Sequence, residues 1–181
     1  MTSRKVVGVF LNSATHQPHV NTLTAMTHGI RETTDNLVFL SNSTKYMDCD
    51  VAIIFGSWKD RHTQHHILKN DVVNNHKGDL LVLETPLLGR TITEDHRYYR
   101  VGKGHYMDSL GYFNNKNSDK DRWGIIRTDL NLNVKDWRKD GKHIMFLMQL
   151  PGDAATADVD ILKWLQDEIV KCKKISDRPV R

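Results

Sequence analysis

The 181-residue sequence predicts an α/β fold: a mainly parallel sheet with flanking helices. Three observations carry this. Short apolar runs recur at Val6–Leu11, Leu37–Leu40, Val51–Phe55 and Leu80–Leu83. These runs are continuous rather than alternating, as expected of strands covered on both faces. Helix-length segments with one apolar stripe lie between several of them, and strand–helix alternation is the pattern of a layered α/β sheet.

The first strand, Val6–Leu11, breaks into the polar loop Asn12–His19, where Pro18 suits the first turn of a helix. Val20 to Thr33 reads as that helix, with Val20, Leu23, Met26, Thr27 and Ile30 as its inner stripe. Leu37–Leu40 and Val51–Phe55 are the second and third strands. His62 to His76 is the next helix, with Ile67, Leu68, Val72 and Val73 turned inward and Gly78 where a helix stop is expected. Leu80–Leu83 is the fourth strand. Residues 91–142 differ: they are polar, rich in Asn, Asp, Lys and aromatics, and carry Gly102, Gly104 and Gly111. They read as a long insertion of loops and short strands over the open end of the sheet. A structureless stretch of that length is unusual in a compact domain, so part of it is expected to be ordered.

Regular patterning returns with a strand at His143–Gln149, a loop at 150–156 and a helix from Ala157 to Lys173. Ile161, Leu162, Leu165, Ile169 and Cys172 share one face of that helix. Thr156 or Asp158 is expected to cap it, and Lys171, Lys173 and Lys174 complement its dipole at the other end. Residues 176–181 read as the approach to another strand. The expected organisation is therefore a core at 1–90, an insertion at 91–142 and a strand–helix unit at 143–181.

Hydrophobic content of 39% and charged content of 27% suit a soluble globular protein. No apolar run reaches the roughly 20 residues of a membrane-spanning helix. The N-terminus enters a strand without a signal-peptide pattern, so a cytoplasmic location is expected. Cys49 and Cys172, with no CxxC spacing, read as free thiols. A net charge of +4 fits a solvated basic surface, or attraction to phosphates, without separating nucleic acid from a nucleotide ligand.

In open parallel sheets, ligands bind outside the carboxyl ends of the strands. The segments Asn12–His19, Gly56–Arg61 and Glu84–Arg90 each follow a strand and are expected on one rim. Asn12, Ser13, Gly56 and Trp58 are candidate binding residues there. His16 and His19 suit the removal of a hydroxyl proton, since an imidazole titrates near pH ~6.5; the alternative is a pair of solvent-facing loop histidines. Glu84 is a candidate base or orienting carboxylate, or a salt-bridging strand-end residue. Arg61, Arg90, Arg97 and Arg100 have the guanidinium geometry to clamp phosphate or carboxylate. Tyr98, Tyr99 and Trp123 suit stacking on a sugar or base, or anchoring of the loop. Gly152 and Asp153 precede a helix whose free N–H groups suit a phosphate, with plain capping as the alternative. His62 and His66 share a helical face but have no third ligand at a recognisable spacing, so no metal is expected.

This order of motifs resembles the GT-B type of glycosyltransferase, built from two facing Rossmann-like halves. The loop Asn12–His19 is similar to the acceptor-side loop of such enzymes, where a histidine serves as base. Gly56-Ser57-Trp58 with Asp60-Arg61, then Glu84 with Arg90, resembles a pattern in capsule-polysaccharide transferases and in phage-type relatives. Gly141–Ile144 through Gln149–Asp153 resembles the first strand and loop of a second half. The resemblance implies a nucleotide-sugar donor and no other cofactor, with His16 or His19 as base assisted by Glu84. The Arg/Lys–Pro–His–Pro donor-binding element of that family has no counterpart in these 181 residues. A shortened relative, a completing partner chain or homo-oligomer, and a non-catalytic module binding nucleic acid or a partner protein all stay open.

Overall fold

Five strands, β1 (Val6–Leu11), β2 (Leu37–Asn42), β3 (Val51–Phe55), β4 (Asp79–Glu84) and β5 (Arg100–Lys103), form one sheet in the order β2-β1-β3-β4-β5. In this computed structural model the described residues are 4–58, 63–85, 88, 98–107, 109–151, 156 and 158–181. β1 pairs in parallel with β2 and β3, and β3 with β4, whereas β5 runs antiparallel to β4. The sheet is thus mostly parallel, as the uninterrupted apolar runs predict.

Helices α1 (Gln17–Thr33) and α2 (Gln64–Asn75) cover opposite faces of this sheet. On one face Val7, Val9, Leu11, Ile53, Phe55 and Leu83 pack with Leu23 of α1. On the other, Phe10, Ala52, Ile54 and Val82 pack with Leu68 and Val72 of α2. Successive residues of β1 and β3 therefore point into different cores, which is why neither strand alternates in polarity.

The elements differ from the sequence expectation in identifiable ways. α1 begins at Gln17, three residues early, with Pro18 in its first turn as that residue suits. On α2, Ile67 is 43% exposed and His66 is buried instead. Gly78 does not end α2 through a left-handed conformation; the C-cap is His76. Gly78 is required because a Cβ there would lie 2.1 Å from the Asp50 carbonyl oxygen. In the 91–142 stretch, β5 is joined by the short helix α3 (Arg122–Asp129), which the sequence reading had not distinguished. α3 stops at buried Leu130, with Asn131 at φ 49°.

The chain divides into two compact units, Met1–Asn131 and Leu132–Arg181. The strand expected at His143–Gln149 is absent. A single parallel bridge joins Ile144 to Val180, with Ile144 N–H donating to the Pro179 carbonyl at 2.9 Å. Helix α4 (Ile161–Ile175) begins later than expected, and its cap is Asp160, whose carboxylate accepts from the Lys163 N–H at 3.0 Å, rather than Thr156 or Asp158. None of the described residues of this second unit is buried. No helix among the described residues is long and apolar enough to cross a membrane.

Candidate functional site

The strand order reverses between β1 and β3: the chain leaves β1 for β2 on one side, then returns to β3 on the other. Such switch points open a crevice at the carboxyl ends of the strands. Here that crevice is a cavity of about 300 Å³ lined by residues following β1, β3 and β4 and by the first turns of α1 and α2.

Its β1 side is set by Asn12. The side chain is buried; its amide donates to the Gln64 carbonyl at 2.9 Å, and its oxygen accepts from the Ala14 N–H at 3.1 Å. Asn12 therefore ties the β1–α1 loop to the start of α2 and shapes the cavity rather than lining it. Ser13 is exposed and also lies outside the lining. His16 and His19 both line the cavity, their rings 5.6 Å apart. His16 is exposed, whereas His19 is stacked on Phe55, with centroids 3.8 Å apart and planes 14° apart.

The β3 side turns through Gly56 at φ +75°, a conformation that strains any L side chain. The Gly56 N–H donates to the Leu83 carbonyl at 2.7 Å, so the turn is fixed against β4. Lys69 reaches back from α2 to this turn and donates to the carbonyls of Phe55 and Ser57. Burial holds the Lys69 ammonium pKa down at about 8, against the opposing pull of the Glu84 carboxylate. His65, in the same cavity, titrates below the ordinary imidazole range because of burial and then the Lys69 charge. Trp58 does not join the lining. Its ring packs edge-on against His105 at 4.8 Å and Tyr106 at 5.3 Å, anchoring the segment after β5.

Glu84 closes the third side. It is half-buried, and its Oε1 accepts from both the N–H (2.7 Å) and the hydroxyl (2.8 Å) of Thr85. One carboxylate oxygen is thereby fixed in orientation. Arg100 pairs with Glu84 across the β4–β5 ladder but lines a second cavity with Tyr98 and Tyr99. Arg61, Arg90, Gly152 and Asp153 lie outside the described residues. So do His62 and Arg97.

The structure thus gathers His16, His19, Gly56 and Glu84 from three separate segments into one cavity. No protein-family model, curated protein or solved structure matches the chain. The chemistry rests on the geometry. Imidazoles, a carboxylate with one constrained oxygen and an ammonium of lowered pKa can bind a polyhydroxylated ligand and exchange a proton with it. Among the described residues no group of three His, Cys, Asp or Glu side chains is arranged to hold a metal ion.

Sequence reasoning missed Lys69 and His65. Both sit early in α2, the helix entered from β3 at the switch point, and that position was the available signal. Their i,i+4 spacing puts them on one helical face.

Proposed function

We propose that the chain is a glycosyltransferase-like protein that binds a nucleotide-activated sugar and passes the sugar to an acceptor hydroxyl. A Rossmann-like reading of the sheet, with the crevice at its β1/β3 switch point, belongs to this proposal. The observation that carries it is the convergence of His16, Glu84 and Lys69 on one cavity at the carboxyl ends of parallel strands. At about 300 Å³ the cavity sits at the small end of the roughly 300–1,000 Å³ usual for ligand sites. That size suits one sugar ring rather than a whole nucleotide-sugar.

In this reading the acceptor hydroxyl lies against His16, whose exposed ring accepts its proton as the oxygen attacks the anomeric carbon. The bond from that carbon to the phosphate oxygen breaks, and the leaving nucleotide keeps the electron pair. Glu84 accepts hydrogen bonds from sugar hydroxyls through its second oxygen, while Thr85 holds the first. Lys69 offsets negative charge that develops on the leaving group. A cytoplasmic setting is part of the reading and accords with the free thiols Cys49 and Cys172.

The test is incubation of the protein with a panel of UDP-, GDP-, CMP- and ADP-linked sugars. Release of the free nucleotide, lost in His16→Ala and Glu84→Gln, supports the proposal. No thermal shift and no release from any donor overturns it.

A second reading, a binding module for a partner protein, is favoured by the unit Leu132–Arg181, where Trp137 is 94% and Leu147 88% exposed. Apolar side chains this open suit a protein surface better than nucleic acid. A mass by light scattering above that of the monomer supports the homo-oligomer form of this reading.

A further inference from the structure

The second cavity, of about 620 Å³, is built from different chemistry. Three aromatic rings, Tyr98, Tyr99 and Phe113, line it together with the guanidinium groups of Arg100 and Arg122 and the amides of Asn114 and Asn115. No carboxylate belongs to its described lining, whereas Glu84 lies in the first cavity.

The rings are fixed in place. The Tyr98 hydroxyl donates to the Asp129 carboxylate, and the Tyr99 hydroxyl accepts from the Thr22 hydroxyl at 2.9 Å. Phe113 lies against β5 because Gly102 has no side chain; a Cβ there would stand 2.8 Å from the ring. The Arg100 guanidinium sits 5.0 Å above that ring and also donates to the Tyr106 carbonyl. A planar, pre-positioned guanidinium loses little freedom when it takes up an anion. Arg122 opens α3 and belongs to the same lining.

We propose that this cavity holds the nucleoside-diphosphate part of a ligand, with the base against the tyrosine rings and the phosphates on Arg100 and Arg122. Aromatic faces suit a base, guanidinium forks suit phosphate oxygens, and primary amides offer both donors and acceptors to a base edge. A neutral sugar has no use for two guanidiniums. The first cavity sets one ammonium, Lys69, against the Glu84 carboxylate, whereas the second is lined by two arginines. The two cavities also adjoin. Phe55 lines the first and Tyr99 the second, and these rings meet edge to face with centroids 5.7 Å apart. A nucleotide in the second cavity therefore lies beside the reacting groups of the first. The inference rests on the transferase reading and assigns the donor subsite within it.

Titration calorimetry of the full chain with UDP, GDP, CDP and ADP tests it, using wild type, Arg122→Glu and Tyr98→Leu. Arg122→Glu is a mild change for the fold, because an acidic residue in the first turn complements the helix dipole. The expected result is binding of at least one nucleotide, weakened about tenfold or more by Arg122→Glu and by Tyr98→Leu. Binding that survives both Arg122→Glu and Tyr98→Leu puts the nucleotide outside the second cavity. That overturns the inference and leaves the transferase reading standing. No binding of any nucleotide to wild type overturns it as well, and donor turnover, measured separately, then decides whether the transferase reading falls with it.

Discussion

The imidazole of His19 lies nearly flat on the Phe55 ring, 3.8 Å between centroids, while neighbouring His16 stays exposed at the same cavity. Two histidines that look equivalent in sequence therefore have different duties. His19 belongs to the packing between α1 and the end of β3. His16→Ala is expected to abolish donor turnover with an unchanged melting temperature. His19→Ala is expected to destabilise the fold by about 0.5–1.5 kcal/mol, the usual worth of such a ring pair. Urea denaturation of both variants checks this, and equal stability losses would contradict it.

Glu84 is expected to act through its charge rather than its shape. In Glu84→Gln the side-chain oxygen can still accept from Thr85, so the rim should keep its form. Turnover should fall by about 10–100-fold, because sugar hydroxyls donate less strongly to a neutral amide than to a carboxylate. Steady-state kinetics together with a thermal melt separate this from a folding defect.

Lys69 should give the stability a characteristic pH dependence. Its pKa is about 8 when folded and 10.5 in the unfolded reference state, with burial as the main cause. Between these values the unfolded chain binds more protons than the folded one, so this group makes stability rise with pH from about 8 to about 10.5. Below about pH 8 its full destabilising effect is present. Lys69→Met is expected to remove this rise. Tyr46 works in the opposite sense at higher pH, because burial pushes its phenol up to about 12. Paired urea titrations of wild type and variant at pH 7.5 to 10 isolate the lysine, and identical slopes would refute its burial.

Two glycines should respond oppositely to alanine. Gly29 lies within α1 with no atom within 4 Å of an added Cβ, so Gly29→Ala should stabilise by about 0.5–1 kcal/mol. At Gly78 the same methyl would strike the Asp50 carbonyl, and a loss of at least about 1–3 kcal/mol is expected. Thermal denaturation of the two variants decides it.

Much of the sheet was legible in the sequence because its central strands are apolar on both faces. Val6–Leu11 and Val51–Phe55 stand in the structure with the bounds their composition implies. The inner stripe of α1 was legible too, since Leu23 and Thr27 are buried and Val20, Met26 and Ile30 pack beside them. His143–Gln149 misled because an apolar run becomes a strand only when a neighbour takes up its hydrogen bonds along its length, and here residues 179–181 pair with Ile144 and Phe146 alone. α3 is eight residues long and contains Gly124, too little for a helical period to show. Rim positions after β1, β3 and β4 followed from the strand ends, but the roles of single residues did not. Whether a histidine stacks or stays open depends on what lies across from it, and Phe55 is thirty-six positions away from His19 in the chain.

Because β5 runs against β4, Glu84 and Arg100 stand side by side at one end of the sheet, opposite the end that holds the Asp79–Lys103 ion pair. These two neighbours line different cavities, Glu84 the first and Arg100 the second, so a side-chain change at either alters one lining while the strand register stays intact. In the transferase reading, acceptor and donor preference can therefore diversify almost independently of folding, as in a tool whose handle is kept while its bit is exchanged.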